Sequence, residues 1–263
     1  MARYQLTLAY DGTDFFGSQR QTSPTGASKR TVQGELEKAL SKLGWTGRSI
    51  LMSGRTDTGV HATGQVASCD LDWSHKDEEL LRALNAALPT DMAVQKVCLA
   101  SADFHPRFDA TSRCYDYKVF FQPVRNPIRE RFAWRIIAEI NSELLADVAR
   151  LLLGTHDFAA FGSPTTPKGS TVRTVMNASW MQAEKDEWHF EVRADAFLYR
   201  MVRRLVFVQV AVAQGKVSAE AIANALAKPL AAGTRSEIPA GLAPAHGLTL
   251  VEVTYPSTES KGQ

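Results

Sequence analysis

The sequence predicts a mixed α/β (α+β) fold made of two halves, each with the element order βαββαβ. Three observations support this prediction. Short segments alternate apolar with polar residues, as half-buried strands do, and the segments between them repeat apolar residues at helical spacing. The same order of elements then occurs a second time along the chain. Two such ferredoxin-like halves are expected to share a mostly antiparallel central sheet.

The first half is predicted to begin with a strand in which Tyr4, Leu6, Leu8 and Tyr10 alternate with more polar residues. Its first helix follows the N-cap residue Thr31 and ends near a glycine. Its second helix stops before a proline, because proline cannot continue a helix. In order, these elements occupy residues 4–10, 31–44, 49–52, 65–71, 80–88 and 93–99.

The second half repeats this order, with one extra helix before the last strand. Ser218 caps that helix, and Ile222 and Leu226 form its apolar face. The repeated elements occupy residues 113–122, 142–153, 174–182, 188–194, 198–213 and 248–255. The sequence therefore predicts two domains, residues 1–105 and residues 106–263.

Composition excludes several classes of protein. The chain has 263 residues, of which 44% are hydrophobic and 22% charged, the balance of an ordinary globular protein. A net charge of +2 is too small to identify a nucleic-acid partner by itself. Cys69, Cys98 and Cys114 are too widely spaced for a disulfide framework or a zinc site. The apolar segment 201–212 is interrupted by two arginines and no secretory signal is visible, so we expect a cytoplasmic protein without a membrane span.

The connection between the second and third predicted strands, residues 53–65, is the strongest candidate for a site. Its glycines allow tight backbone approach and would display Arg55 and Asp57 side by side at a sheet edge. Asp and Gly are also ordinary turn residues, so a plain turn is the alternative interpretation. The concentration of Arg, Thr, Asp and His in this segment favours a site.

Residues 54–65, Gly-Arg-Thr-Asp-Thr-Gly-Val-His-Ala-Thr-Gly-Gln, resemble the signature of the tRNA pseudouridine synthase A family. The resemblance extends from residue 4 to residue 255. Further blocks in family order lie at residues 10–12, 16–17, 19–21, 31–33, 85–89, 104–108, 113–117, 156–158 and 197–203. It implies the pseudouridine synthase fold, in which two ferredoxin-like halves form a continuous sheet.

The resemblance also implies an activity and its partners. Family members isomerise uridine to pseudouridine in the anticodon stem-loop of tRNA, at positions 38, 39 and 40, and are typically homodimers. The reaction moves the ribose C1′ bond from N1 to C5 of the base without net oxidation. We therefore expect tRNA as the partner, no cofactor and no metal.

Four residues match functional positions of the family. Asp57 matches the essential aspartate, and its role as nucleophile or as base is left open. Arg55 matches the arginine associated with the flipped nucleotide. Tyr115 matches the tyrosine that packs against the target base, and Arg203 a basic residue that pairs with the aspartate.

Two positions depart from the family pattern. Ser18 stands where the family usually has Trp, which affects an RNA contact or a packing detail. Phe207 stands where a Gly is usual in the helix after Arg203, which affects a close helix contact.

Two groups of basic residues are candidates for a phosphate-binding surface, with salt-sensitive tRNA affinity as the consequence. Such charges are more often merely solvated. The first group is Arg125, Arg129, Arg131 and Arg135, and the second is Lys168, Arg173, Arg200 and Arg204.

Two alternative functions remain to be compared. Ferredoxin-like units with aromatic residues on their strands also describe noncatalytic RNA-binding modules, but the chain contains no RNP1-like run. A hydrolase acting on another glycosidic bond is the second alternative. No metalloprotease, serine hydrolase or P-loop motif occurs, and the spacing of the histidines does not fit a metal site.

Overall fold

The computed structural model describes residues 1–21, 29–227 and 237–256. Contacts divide the chain into two compact units, Met1–Thr111 with Thr249–Gln263, and Ser112–Leu248. The strands are β1 (Ala2–Tyr10), β2 (Leu51–Met52), β3 (His61–Leu71), β4 (Met92–Leu99), β5 (Ser112–Phe121), β6 (Trp134–Ile136), β7 (Gly154–Asp157), β8 (Val172–Glu184), β9 (Glu187–Ala194) and β10 (Leu248–Thr254). The helices are α1 (Val32–Lys42), α2 (Asp77–Ala87), α3 (Ser142–Arg150), α4 (Met201–Ala213) and α5 (Ala219–Ala227).

The first unit contains the predicted βαββαβ order from β1 to β4. Helix α1 begins where the sequence predicts, because the Thr31 side chain accepts a hydrogen bond from the Gly34 N–H at 3.2 Å. Leu36 and Leu40 of α1 and the corresponding leucines of α2 are completely buried. Burial of these helix faces against the sheet stabilises the unit through the hydrophobic effect.

Strand β3 is the centre of this unit. It pairs with β1 along one edge, while β2 and β10 pair with successive stretches of it. The sequence placed the start of this strand at Gln65, but it starts at His61, because β10 pairs with His61 and Ala62. A Cβ at Gly64 would lie 2.1 Å from the Val251 carbonyl oxygen, so only glycine permits this approach. The sequence counted β10 with the second half, whereas its contacts assign nearly all of it to the first unit.

The second unit is built on antiparallel pairs of β5 with β9, β9 with β8, and β8 with β7. The short strands β6 and β7 were not predicted from the sequence, and α3 ends at Arg150 rather than at residue 153. Antiparallel pairs predominate in both units, which confirms the predicted mixed α/β class with mostly antiparallel strands. No helix in the described ranges is long and apolar enough to cross a membrane.

Helix α4 starts three residues later than the sequence predicts. Tyr199 forms an isolated bridge with Ser163, and the following Arg200 adopts a left-handed backbone conformation with φ of 64°. Neither geometry is compatible with an α-helix, so α4 begins at Met201. A tertiary pairing therefore overrides the local apolar pattern at this helix end.

Phe207 of α4, the second departure from the family pattern, has a specific packing partner. Its ring stacks on Trp134 with centroids 6.3 Å apart and an interplanar angle of 15°. A Cβ at Gly241 would lie 2.2 Å from the same ring. The missing side chain at Gly241 therefore accommodates the phenyl group.

Candidate active site

The segment between β2 and β3 holds Asp57. Arg55 is exposed, Thr56 is 7% exposed, and Asp57 is half-buried. Thr56 therefore has its side chain in the interior, between two residues whose side chains reach solvent more fully. The Asp57 carbonyl oxygen accepts a hydrogen bond from the Val60 N–H at 3.2 Å, which closes a turn directly after the carboxylate.

Thr56 is held on its backbone and on its side chain. Its N–H donates to Ser18 Oγ at 2.8 Å, and its carbonyl oxygen accepts from the Ser18 N–H at 3.1 Å. Its hydroxyl shares a hydrogen bond of 2.9 Å with the hydroxyl of Tyr10. Ser18 is completely buried, so this first departure from the family pattern is a support of the loop and not an exposed side chain.

Gln65 connects the two ends of the loop. Its Oε1 accepts from Ser53 Oγ at 2.6 Å, and its Nε2 donates to the Gly54 carbonyl oxygen at 3.2 Å and to the Tyr10 hydroxyl at 3.5 Å. Gln65 is completely buried within β3, opposite Leu8 of β1. We call the five residues Tyr10, Ser18, Ser53, Thr56 and Gln65 the polar network.

Burial makes the polar network rigid. A buried polar group without a partner costs about 1–3 kcal/mol, so each member is held to the geometry in which its hydrogen bonds form. Burial also raises the pKa of the Tyr10 phenol above its ordinary value, and the phenol stays neutral. The backbone is thus fixed at Gly54 and at Thr56, which leaves Asp57 at a defined position beside a rigid support.

A second support comes from the segment after β1. The Gly12 N–H donates to Nδ1 of His61 at 3.0 Å, and His61 is almost completely buried at the start of β3. The same Nδ1 lies 3.2 Å from an Asp11 carboxylate oxygen.

Arg30 and Asp91 tie the segment before α1 to the turn before β4. Both terminal guanidinium nitrogens of Arg30 donate to the Asp91 carboxylate at 2.7 Å, and the guanidinium lies 4.2 Å from the ring centre of Phe15. The Arg30 hydrogen bonds lower the pKa of the Asp91 carboxyl below its ordinary value. This pair therefore stabilises the folded state while Asp91 is ionised.

Asp91→Asn is expected to reduce stability by about 1 kcal/mol at pH 7, because the charge-assisted pair is lost. A lowered folded-state pKa gives stability that is present above the unfolded value near 3.9 and is lost as pH falls through the folded pKa. The difference between variant and wild type should therefore begin to shrink near pH 4 and disappear as the pH falls through the folded pKa of Asp91. Urea unfolding from pH 7 to pH 3 measures this, and a constant difference across the range would contradict it.

Tyr115 and Arg203 both lie in the second unit. Tyr115 is on β5, half-buried, and its ring meets Phe197 edge-to-face with centroids 5.0 Å apart. Arg203 on α4 donates from Nε to the Ala243 carbonyl oxygen at 2.8 Å. Tyr117, two residues from Tyr115, is completely buried and donates to the Pro244 carbonyl oxygen at 2.8 Å. The predicted pairing of Arg203 with Asp57 stays a prediction.

The sequence predicts that Arg55 and Asp57 act together because they are two residues apart in one segment, and this stays a prediction. It missed the polar network, whose members are up to 55 residues apart. Gln65, a long polar residue in a strand of small and apolar residues, was the one visible signal of it. Among the described residues, no group of three or more His, Cys, Asp or Glu side chains is arranged to hold a metal ion.

Comparison with known proteins agrees with this arrangement. A family model described as tRNA pseudouridine synthase matches residues 7–109 and 148–256. The tRNA pseudouridine synthase A of Chloroflexus aurantiacus is 41% identical over 263 residues, covering 97% of this chain and 90% of the relative. The tRNA pseudouridine synthase A of Solidesulfovibrio magneticus is 42% identical over 259 residues, covering 97% of this chain and 92% of the relative. The tRNA pseudouridine synthase A of Shouchella clausii is 37% identical over 256 residues, covering 97% of this chain and 94% of the relative. The chain therefore belongs to the tRNA pseudouridine synthase family, isomerases that convert uridine to pseudouridine.

Proposed function

We propose that this protein converts uridine to pseudouridine at positions 38, 39 and 40 of the anticodon stem-loop of tRNA, with Asp57 as the catalytic carboxylate. The observation that carries the proposal is the way in which the backbone next to Asp57 is held. Asp57 is a half-exposed carboxylate next to a backbone fixed by buried hydrogen bonds, in a chain of this family. A preorganised carboxylate costs little reorganisation when the substrate arrives.

The chemistry requires a group that acts at the ribose. The bond from C1′ to N1 breaks with its electron pair going to the base, the base turns while it stays bound, and C5 forms the new bond to C1′. C5 then loses its proton and N1, which left C1′ with the electron pair, takes up a proton, so no atom is gained or lost overall and no electron is exchanged with the protein. Asp57 acts at C1′ as a nucleophile or removes a ribose proton as a base, and both roles need the ionised carboxylate.

Arg55 and Arg203 have supporting roles in this proposal. The exposed Arg55 guanidinium, two residues from Asp57, contacts the RNA backbone or fills the stack that the flipped uridine leaves. Arg203 pairs with Asp57 and stabilises its negative charge. Its Nε donates to the Ala243 carbonyl oxygen, which orients the guanidinium.

Tyr115 holds the uracil ring and moves a proton in this proposal. Its ring is only partly covered, with Phe197 packed edge-to-face against it. Tyr115→Phe keeps the ring and removes the hydroxyl. We expect tRNA binding within about twofold of wild type and a turnover rate lower by about 10²-fold, the size of a lost proton transfer. Unchanged turnover in single-turnover kinetics would reduce the role of Tyr115 to stacking.

Two further properties complete the proposal. The protein acts in the cytoplasm and is a homodimer in which both subunits shape the tRNA-binding surface. Light scattering of the purified protein at micromolar concentration measures the dimer. A monomer that turns over tRNA at the full rate would contradict it.

The activity is tested by tritium release from tRNA labelled at C5 of uridine, because C5 exchanges its hydrogen only when it bonds to C1′. Mapping the modified nucleotides then tests positions 38, 39 and 40. Binding without tritium release would favour a noncatalytic RNA-binding module. Release of free uracil would indicate a hydrolase.

A further inference from the structure

A cavity of about 390 Å³ lies within the second unit, at the start of α4. Its wall includes Phe161, Tyr199, Arg200, Arg204 and Gly241. None of the described residues that line it is acidic. The cavity is open to solvent and combines two guanidinium groups with an aromatic ring. This composition is typical of a surface that binds a phosphate and an unstacked base.

Arg204 forms the inner part of this cavity. Its Nη1 donates to two uncharged acceptors, the carbonyl oxygens of Pro239 and Gly241, the latter at 2.9 Å. Burial alone lowers the pKa of this guanidinium below its ordinary value. The carbonyl groups orient the side chain but do not neutralise it, so an anion in the cavity would compensate a partly desolvated cation.

Phe207 packs beside Gly241, which carries one of those two carbonyl groups. Its ring occupies the space beside Gly241, and one turn earlier on α4 the N–H of Ala243 donates to the Arg203 carbonyl oxygen at 3.2 Å. The segment 239–243 therefore contacts α4 at two points, at Phe207 and one turn earlier at Arg203. The cavity wall is a fixed part of the unit.

Arg200 and Tyr199 form the outer part. Tyr199 is 48% exposed, and the Arg200 guanidinium lies 4.7 Å from the centre of its ring. Arg200 has a positive φ of 64°, a conformation that costs a residue with a Cβ free energy. Glycine or asparagine would adopt it more easily. An exposed arginine kept in a strained conformation at the edge of a cavity points to a use for its side chain.

We propose that this cavity binds one nucleotide of the tRNA substrate, with a backbone phosphate between Arg200 and Arg204 and the adjoining base on Tyr199. The proposal rests on tRNA being the substrate. The first turn of α4 carries no acidic residue, and the positive end of the helix dipole favours the same anion. The site is separate in its residues from the Asp57 loop, so it contributes to affinity and not to the chemical step.

Arg200→Gly is the first test, because it removes the charge and the strain together. We expect thermal unfolding at a temperature higher by about 1–3 °C, since the left-handed conformation is relieved, together with about tenfold weaker tRNA binding. Arg204→Gln should weaken binding to a similar extent. For each variant, the plot of the logarithm of the tRNA association constant against the logarithm of the salt concentration should have a negative slope that is smaller in magnitude by about 1. A change of this size is the signature of one lost phosphate contact. A merely structural role would leave that slope unchanged.

Matched controls separate charge from fold. Arg200→Lys keeps the charge and should retain the wild-type salt slope. Arg150→Gln removes an exposed arginine of α3 that is paired with Asp147, and should leave both affinity and slope unchanged. Wild-type affinity and slope in both Arg200→Gly and Arg204→Gln would overturn the proposal.

The source of the phosphate is tested separately. Inorganic phosphate titrated into the RNA-free protein should show no saturable binding below about 10 mM, since an isolated anion lacks the stacked base and the neighbouring contacts. Tight phosphate binding that Arg204→Gln abolishes, with tRNA affinity unchanged, would make this a free phosphate site and overturn the proposal. All binding is measured in the Asp57→Asn background as well as in wild type. Absence of tritium release by the wild-type protein would reject the proposed function. An unchanged salt slope in the Arg200 and Arg204 variants would reject only the nucleotide site.

Discussion

Asp57→Asn is expected to lower the rate of pseudouridine formation by at least about 10³-fold. Asparagine has the same shape as aspartate but can neither attack C1′ nor accept a ribose proton. The neighbouring Thr56 keeps its hydrogen bonds to Ser18 and Tyr10, so the loop should stay in place. Single-turnover tritium release measures the rate, and retained turnover would reject Asp57 as the catalytic carboxylate.

The control for this substitution is another aspartate in the same unit. Asp72 is 92% exposed and pairs only loosely with the chain N-terminus at 3.6 Å. Asp72→Asn removes the same charge and should leave turnover within about twofold of wild type. We expect both variants to bind tRNA with nearly wild-type affinity and to unfold within about 0.5 kcal/mol of wild type. A large loss of stability in Asp57→Asn alone would show that the rate effect comes from the fold.

Gln65→Met should have the second-largest effect, on stability and activity together. Methionine fills a similar volume but leaves Ser53, the Gly54 carbonyl group and Tyr10 each short of a hydrogen bond. We expect the free energy of unfolding to fall by about 2–4 kcal/mol, since three groups each lose one hydrogen bond in a buried setting. We also expect turnover to fall at least about tenfold with KM nearly unchanged, because a small displacement of a catalytic group is costly.

A matched glutamine in the second unit shows whether this rate effect is specific. Gln209 is also completely buried, accepting from Trp180 Nε1 at 3.0 Å and donating to the Leu205 carbonyl oxygen at 3.2 Å. Gln209→Met should reduce stability by about 1–3 kcal/mol but leave turnover unchanged when assayed well below its unfolding temperature. Equal losses of turnover in the two variants would mean that the polar network does not position Asp57.

Much of the fold follows from local sequence patterns. The helix after Thr31 and the strand from Ala2 to Tyr10 each show their periodicity within one contiguous segment, and both were predicted close to their observed bounds. Predictions were wrong where a distant segment intervenes. Strand β3 is longer because β10 pairs with it, and α4 is shorter because Tyr199 pairs with Ser163.

The sequence by itself determined the α/β class, the family and the candidate carboxylate, because periodicity and a contiguous motif are local properties. Only the tertiary structure decided how Asp57 is supported. Tyr10, Ser18 and Gln65 contribute to that support from three separate segments, and their hydrogen bonds form only when the chain has folded. In the unfolded chain, water would form hydrogen bonds with the same groups. The glycine-rich connection that carries Asp57 therefore becomes rigid only when folding buries these polar groups together.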